Sequence, residues 1–350
     1  MTDMFEQVRE RVLCSFPGLE TATIAPLGNG LINQTFLLTT ERERFVLQRL
    51  APIFAPEINH NIAAVTDALA SAGIRTPRLV PTREGRLWVD LNASGVWRVQ
   101  TFVAGHGFDK VQSPAQARSA SELVARFHRA LEKIEHRFVG LREGVHDTAR
   151  HLERLRTAVT THAGHRLFSD VAALAEKILS SAENLPPLSP MPPRIGHGDL
   201  KLNNILFAGE HAPAAEKAIC LIDLDTVGPV QLAHEIGDAW RSWCNLSGED
   251  ATEAKVDLAV MRASFEGYAS AIGRKVSNEE RVALLAGVEW ISLELASRFA
   301  ADALNESYFG WDPRHYPSRG AHNLIRARGQ FALHEALVRG RADRRGLLGL

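Results

Sequence analysis

An excess of charge of either sign is missing from this sequence: 40 lysines and arginines stand against 41 aspartates and glutamates, a formal net charge of -1 over 350 residues. Without surplus positive charge there is no general electrostatic case for binding nucleic acid or an anionic membrane surface. Cysteine is scarce. Cys14, Cys220 and Cys244 are scattered, cannot all pair and lack metal-ligand spacing, so they read as packing residues of a reducing compartment. No uninterrupted apolar run reaches the length of a membrane span, and the opening Met1 to Glu6 has neither a basic n-region nor an apolar h-region. A cytoplasmic protein with no membrane or nucleic-acid partner is the expectation. Internal repeats and low-complexity segments are lacking too.

What is present is enough apolar residue for a large core, 45% hydrophobic against 23% charged, in a length that fits two lobes. The stretch around which the chain is organised is Arg194 to Phe207, where His197-Gly198-Asp199 is followed by Asn204 and then by the apolar run Ile205-Leu206-Phe207. It predicts a polar loop held by a buried strand. Phosphoryl transfer needs such a loop to offer a carboxylate to the attacking hydroxyl and, close by, a neutral oxygen ligand for magnesium; Asp199 and Asn204 supply these types. The pair alone arises by chance roughly once in a chain of this length. A second element strengthens it: Ala218 to Asp225 reads as an apolar strand ending in Asp223 and Asp225, and a hairpin would bring Asn204 and Asp223 together.

Around this block, a helix is expected over Met4 to Phe16. Strands are expected over Thr23 to Leu27, Leu31 to Leu38 and Arg44 to Leu50. The turn Gly28-Asn29-Gly30 reads either as a plain hairpin connection or as a phosphate cradle. Pro56 to Ala72 predicts a helix, and Arg86 to Leu91 with Val96 to Val103 a second hairpin. The chain then passes Gln100-Thr101-Phe102 and leaves the sheet region at residues 103 to 105, a natural hinge against which adenine could lie. Helices follow over Pro114 to Lys133, Asp147 to Val159, Leu167 to Asn184, His234 to Asn245, Ala251 to Ala271, Asn278 to Leu304 and Asn323 to Arg339. The terminal arginines, Arg339, Arg341, Arg344 and Arg345, read as a solvated, frayed tail. The fold class is α+β: residues 1–103 form a small β-sheet lobe, and residues 104–350 a larger, mainly helical lobe.

The glycine turn, the hinge, His-Gly-Asp-Leu-Lys-x-x-Asn and Ile-Asp-Leu-Asp together resemble the kinase-like small-molecule phosphotransferases, the clan of aminoglycoside phosphotransferases and choline kinases. Leu27 to Phe36, Phe45 to Leu50, Trp97 to Gln100 and Ile222 to Thr226 are similar to bacterial N-acetylhexosamine 1-kinases. So is the C-terminal series Arg298-Phe299, Asp302, Tyr308-Phe309 and Asn323 to Arg328.

The resemblance implies a protein-kinase-like bilobal fold that uses ATP and Mg²⁺. It makes Asp199 the catalytic base and Lys201 the cation facing the transferred phosphoryl group, with Asn204 and Asp223 as metal ligands and Asp225 either behind them or as an additional ligand. It places Gly28, Asn29, Gly30, Gln48, Arg49, Gln100 and Phe102 about the nucleotide. His197 braces the loop, and Asp238 holds the loop backbone from a following helix. The acceptor expected from it is a sugar, with Asp199, Arg298 and Asn323 as the residues to recognise it.

One departure stands out: most relatives carry a phosphate-contacting lysine where this strand has Gln48, and Arg49 next to it faces the other way in a regular strand. Two functional classes follow. One is a kinase acting on the anomeric hydroxyl of an N-acetylhexosamine, or alternatively on another sugar, a homoserine-like compound, an amino alcohol or an aminoglycoside. The other is a silent nucleotide-binding module. Retention of Asp199, Lys201, Asn204 and Asp223 favours the enzyme. The mixed C-terminal residues favour a sugar over a polycation.

Overall fold

The computed structural model describes residues 2–28, 32–188 and 190–350, and the chain divides into two compact units. The first comprises Met1–Ala104, Ala130–Arg142 and Ile222–Gly228; the second comprises Gly105–Arg129, Glu143–Leu221 and Pro229–Leu350.

Unit 1 is built on an antiparallel sheet of strands β1 (Thr23–Pro26), β2 (Gln34–Thr39), β3 (Arg44–Arg49), β4 (Val89–Asp90) and β5 (Val96–Thr101) in the order β1-β2-β3-β5-β4. Alternation of apolar residues gives the sheet one buried face. Leu38, Leu47, Trp97 and Val99 pack there against Val8 of the first helix, α1 (Thr2–Arg11), and against Val12, Leu13 and Phe16 just beyond it. The first helix ends earlier than its periodicity predicts, because Leu13–Ser15 tightens into a 3-10 turn. Helix α2 (Ile58–Ser71) completes the unit. Its Asn61 accepts from Val139 N–H and donates to Val139 C=O, at 3.0 and 2.7 Å, and so ties down the segment after residue 130.

Unit 2 is helical, with α3 (Pro114–Leu131), α4 (Thr148–Thr161), α5 (Phe168–Ala182), α6 (Leu232–Trp243), α7 (Leu258–Ala271), α8 (Asn278–Asn305), α9 (Arg319–Arg339) and α10 (Arg341–Leu348). The 28-residue α8 is its axis, started by a capping box in which Ser277 and Glu280 satisfy each other's backbone N–H. Helices α4, α5 and α9 bury Leu155, Val171, Ile178, Leu324 and Phe331 against its Leu293, Phe299 and Leu304. At the crossing of α6 and α8, a Cβ on Gly287 would lie 2.1 Å from Ala233 O and one on Gly237 2.7 Å from the Gly287 carbonyl. Only glycine allows the backbones to approach so closely.

Other elements also depart from the sequence expectation. Helix α7 begins at Leu258, because Val256 bridges to Asn245 and the Asp257 carboxylate caps the N–H groups of Ala259 and Val260. Helix α9 starts at Arg319, capped by Ser318. The C-terminal arginines are not a frayed tail: Arg339 ends α9, and Arg341, Arg344 and Arg345 lie in α10, where Arg344 is 1% exposed and bonded to Leu285 O, Leu337 O and Glu289, which also binds Arg341. A fully buried carboxylate must be neutralised, and this need orders the helix.

Candidate active site

In unit 2 the loop after β7 (Arg194–Gly196) carries the predicted catalytic residues, and β8 (Ile205–Phe207) supports it by pairing with β6 (His106–Gly107) and β9 (Ala218–Leu221). Ile205 lies opposite Leu221. Gly198 sits at φ 80, a left-handed conformation that makes this position in His197-Gly198-Asp199 a glycine. Next to it Asp199 meets Lys201 Nζ at 3.0 Å. Burial disfavours the Lys201 ammonium, but the carboxylates of Asp199, Glu249 and Asp238 outweigh it and raise its pKa, so the cation persists at neutral pH. The Asn204 amide nitrogen donates to Asp199 O at 2.8 Å and Asp199 Oδ2 at 3.2 Å, which leaves its amide oxygen as the atom available to a cation. That orientation suits a magnesium ligand.

A different carboxylate from the one expected holds the loop. Glu235, not Asp238, accepts the backbone N–H of His197 at 2.7 Å and of Gly198 at 2.9 Å. Both acids lie on α6, one turn apart, and it is Glu235 that faces the loop. Asp238 instead binds Arg241 through Oδ1 at 2.8 and 3.0 Å, while its Oδ2 is buried with no hydrogen-bond partner.

Behind Glu235 runs a buried chain. Arg194 donates to the Tyr268 hydroxyl at 2.7 Å, Tyr268 meets His128 Nδ1 at 2.9 Å, and His128 Nε2 meets Glu235 at 3.2 Å. Burial drives the His128 pKa down, which keeps the imidazole neutral with its proton on Nε2 when Tyr268 donates. Burial alone would raise the Glu235 pKa, but the bond from His128 and the contacts of His197 hold it below the usual carboxylate range. The His197 ring is itself fully buried, and its Nδ1 accepts from Asp199 N–H at 3.3 Å.

Several carboxylates of this region are matched by a cation or imidazole. Arg241 binds both Asp238 and Glu249, the latter at 3.1 Å, and Asp250 Oδ1 accepts from Arg326 at 3.2 Å and meets His322 Nε2 at 3.1 Å. Asn323 is fully buried and donates to Asp302 at 2.8 Å; Asp302 also accepts the backbone N–H of Ser307, Tyr308 and Phe309, so it caps the end of α8. The Asn323 amide oxygen is buried without a partner. Arg298 lies 3.7 Å from the buried Glu294 and over the Phe309 ring at 5.5 Å.

Glu294 also meets His146 at 3.2 Å, whose ring stacks obliquely on His234 at 4.7 Å. Burial, with His146 beside it, pushes the His234 pKa down to about 4 against the pull of Glu294. The folded protein therefore binds this proton less readily than the unfolded chain, whose imidazole titrates at about 6.5. The stability so gained is complete above about pH 6.5 and lost as pH falls toward 4. Thermal melts are expected to be level above pH 7 and to fall across that window, and His234→Gln to flatten the slope; an unchanged slope in the variant would remove His234 as a source.

In unit 1, Gly28 has φ 70 and an open, exposed position, while Asn29 and Gly30 lie outside the described residues. Gln48 and Arg49 point to opposite faces of β3: Gln48 donates to Thr35 Oγ1 at 3.3 Å, and Arg49 lies against Gly95. Gln100 pairs with Val46, and the Phe102 ring sits under Arg44 at 4.3 Å. The strand expected to run through Asp225 stops at Leu221. Asp223 then adopts a left-handed conformation, φ 62 and ψ 57, and a 3-10 turn follows over Leu224–Thr226. A non-glycine residue held this way carries strain of the kind that collects at functional sites. Both Asp225 oxygens are occupied, one by Arg98 and one by Asn33 at 2.6 Å. Arg98, Asn33 and Glu235 were not singled out from the sequence. For Arg98 the available signal was a charged residue in an apolar strand.

The antiparallel sheet unit, the helical unit and the loop built on His197, Asp199 and Asn204 define a kinase-like phosphotransferase. The phosphotransferase enzyme family, APH, matches residues 23–271, and the chain belongs to that family. Among solved structures it is similar to a microcompartment-associated aminopropanol kinase (17% identity, 97% of this chain and 98% of that one, TM-score 0.63). It is also similar to a choline kinase from Cryptosporidium parvum (12% identity, 99% and 98%, TM-score 0.64). A third is amicoumacin kinase hAmiN in complex with AMP-PNP, Ca²⁺ and Ami (13% identity, 94% and 92%, TM-score 0.62). At these identities the structural likeness carries the fold. No helix among the described residues is long and apolar enough to cross a membrane.

Proposed function

We propose that this small-molecule phosphotransferase is an ATP- and Mg²⁺-dependent kinase acting on the anomeric hydroxyl of an N-acetylhexosamine, giving the sugar 1-phosphate. Asp199 receives the proton of the acceptor hydroxyl, and Lys201, held beside it, faces the charge that builds on the transferred phosphoryl group. Asn204 and Asp223 are the residues we assign to Mg²⁺, which would neutralise the phosphate oxygens when bound. A site that draws on substrate phosphates and water for its remaining ligands needs no third protein ligand.

The observation that carries the acceptor class is the pairing of acidic residues with arginines: Asp238 and Glu249 with Arg241, and Asp250 with Arg326 and His322. With arginines tied to these acids the lining offers a polycation few free carboxylates, which suits a neutral polyol better. The buried, unpartnered oxygens of Asp238 and Asn323 are acceptors that hydroxyl or amide donors would satisfy. Arg298 and Asn323 are assigned to the sugar.

The reading is tested by ³¹P NMR of the protein with Mg-ATP and, separately, N-acetylglucosamine, N-acetylgalactosamine, glucose, homoserine, choline and an aminoglycoside. A new phosphomonoester coupled to the anomeric proton of an N-acetylhexosamine is expected. A product with choline or the aminoglycoside instead would overturn the acceptor, and no product with any of them the reading as a whole.

A further inference from the structure

The strand that should offer a lysine to the nucleotide phosphates offers Gln48, and the position paired with it across the sheet is Arg98 on β5. The Arg98 side chain is 1% exposed. Its Nε and Nη2 donate to Gln48 Oε1 at 3.0 and 2.8 Å, its Nη1 donates to Asn59 Oδ1 on α2 at 3.2 Å, and Nη2 also binds Asp225 Oδ1. The other Asp225 oxygen accepts from Asn33 Nδ2 at 2.6 Å, and Asn33 Oδ1 accepts from Ala51 N–H at 2.9 Å. One guanidinium thus joins β3, α2 and the turn that follows Asp223. The planar, forked guanidinium makes four bonds to these three partners in fixed directions, where an ammonium has three rotatable donors on a compact point charge.

A buried ion pair is a poor source of stability, because desolvation offsets the attraction, and apolar residues of the same volume would serve as well. Its location gives the better account. Asp225 is two residues from Asp223, whose left-handed backbone begins the 3-10 turn that contains Asp225. Fixing Asp225 from the sheet fixes that turn.

We infer that Arg98 is the positioning cation of the nucleotide-binding unit: through Asp225 it sets the Asp223 turn, and Gln48 is retained as its hydrogen-bond acceptor rather than as a phosphate ligand. This accounts for the absent lysine. An ammonium at position 48 would lie directly across from a buried guanidinium, remove the acceptor of two of its bonds and repel it. Gln48 Nε2, bonded to Thr35, turns the amide oxygen toward Arg98. The inference rests on the assignment of Asp223 to Mg²⁺.

Its test is calorimetric titration of the full chain with AMP-PNP, with and without Mg²⁺, a readout that needs no acceptor. The proteins compared are wild type, Arg98→Lys, Asp225→Asn, Gln48→Lys and the double variant R98Q/D225N, which removes both buried charges while keeping polar side chains in place should a single variant fail to fold. Wild type is expected to bind AMP-PNP more tightly with Mg²⁺. The variants that remain folded by thermal melt are expected to lose on the order of 10- to 100-fold of that Mg²⁺-dependent affinity, the usual effect of removing a partner that orients a metal ligand. Metal-free binding should change little, and a general loss of structure would not give that split. Folded variants with unaltered Mg²⁺ dependence, or a Gln48→Lys variant that binds AMP-PNP more tightly than wild type, would overturn the inference while leaving the kinase reading intact. A wild type that binds no AMP-PNP would overturn both.

Discussion

Replacing Asp199 with asparagine should lower kcat by about 10²- to 10⁴-fold, the usual contribution of a positioned general base, with the KM for ATP little altered. Asparagine preserves the shape of the side chain and its reach to the Asn204 amide and to Lys201, which lie 3.2 and 3.0 Å from the carboxylate. What it loses is the ability to take the acceptor proton and the negative charge that counters Lys201. Steady-state kinetics together with a thermal melt separate the two explanations for a dead enzyme. A folded variant with turnover within a few-fold of wild type would end the role assigned to Asp199.

Glu235→Ala is expected to have the largest effect on stability, and to carry activity down with it. The wild-type carboxylate accepts from two loop N–H groups and from His128, all in a buried setting. Each donor left without an acceptor costs about 1–3 kcal/mol, so a loss on the order of 5 kcal/mol is anticipated. Glu235→Gln should be milder in stability but still harmful, since its amide nitrogen must face a donor on one side. Denaturant unfolding gives the stability change and kcat gives the loop's response. A Glu235→Gln protein with wild-type stability and turnover would show that the loop holds its own shape.

Where the sequence was legible, the signal lay in consecutive residues. The polar loop followed by the Ile205 to Phe207 strand, the sheet region before residue 103 and the long helix over Asn278 to Leu304 each announce themselves by pattern within one stretch, and the structure shows each of them. Other parts depend on register or rotation. Glu235 and Asp238 are three residues apart on one helix, so spacing brings both near the same face and only packing at Gly237 and Gly287 decides which carboxylate meets the loop. Arg98 gains meaning once β3 and β5 are paired and Gln48 is found opposite it. The arginines of α10 look like a solvated run until Glu289, far away in the chain, is found buried beneath them.

That last arrangement bears on how the protein is made. Glu289 is fully buried at the middle of α8, and its counter-charges Arg341 and Arg344 are synthesised 52 and 55 residues later. During translation at about 5–20 residues per second, Glu289 is made some seconds before either arginine exists. Until then an ionised carboxylate sits on the surface that α6, α9 and α10 must cover, and closing that surface early would strand the charge. The helical unit is therefore expected to stay open on this side through most of its synthesis and to become resistant to protease only after α10 has emerged. A nascent chain halted before Arg341 should accordingly be cut within α8 where the longer chain is not.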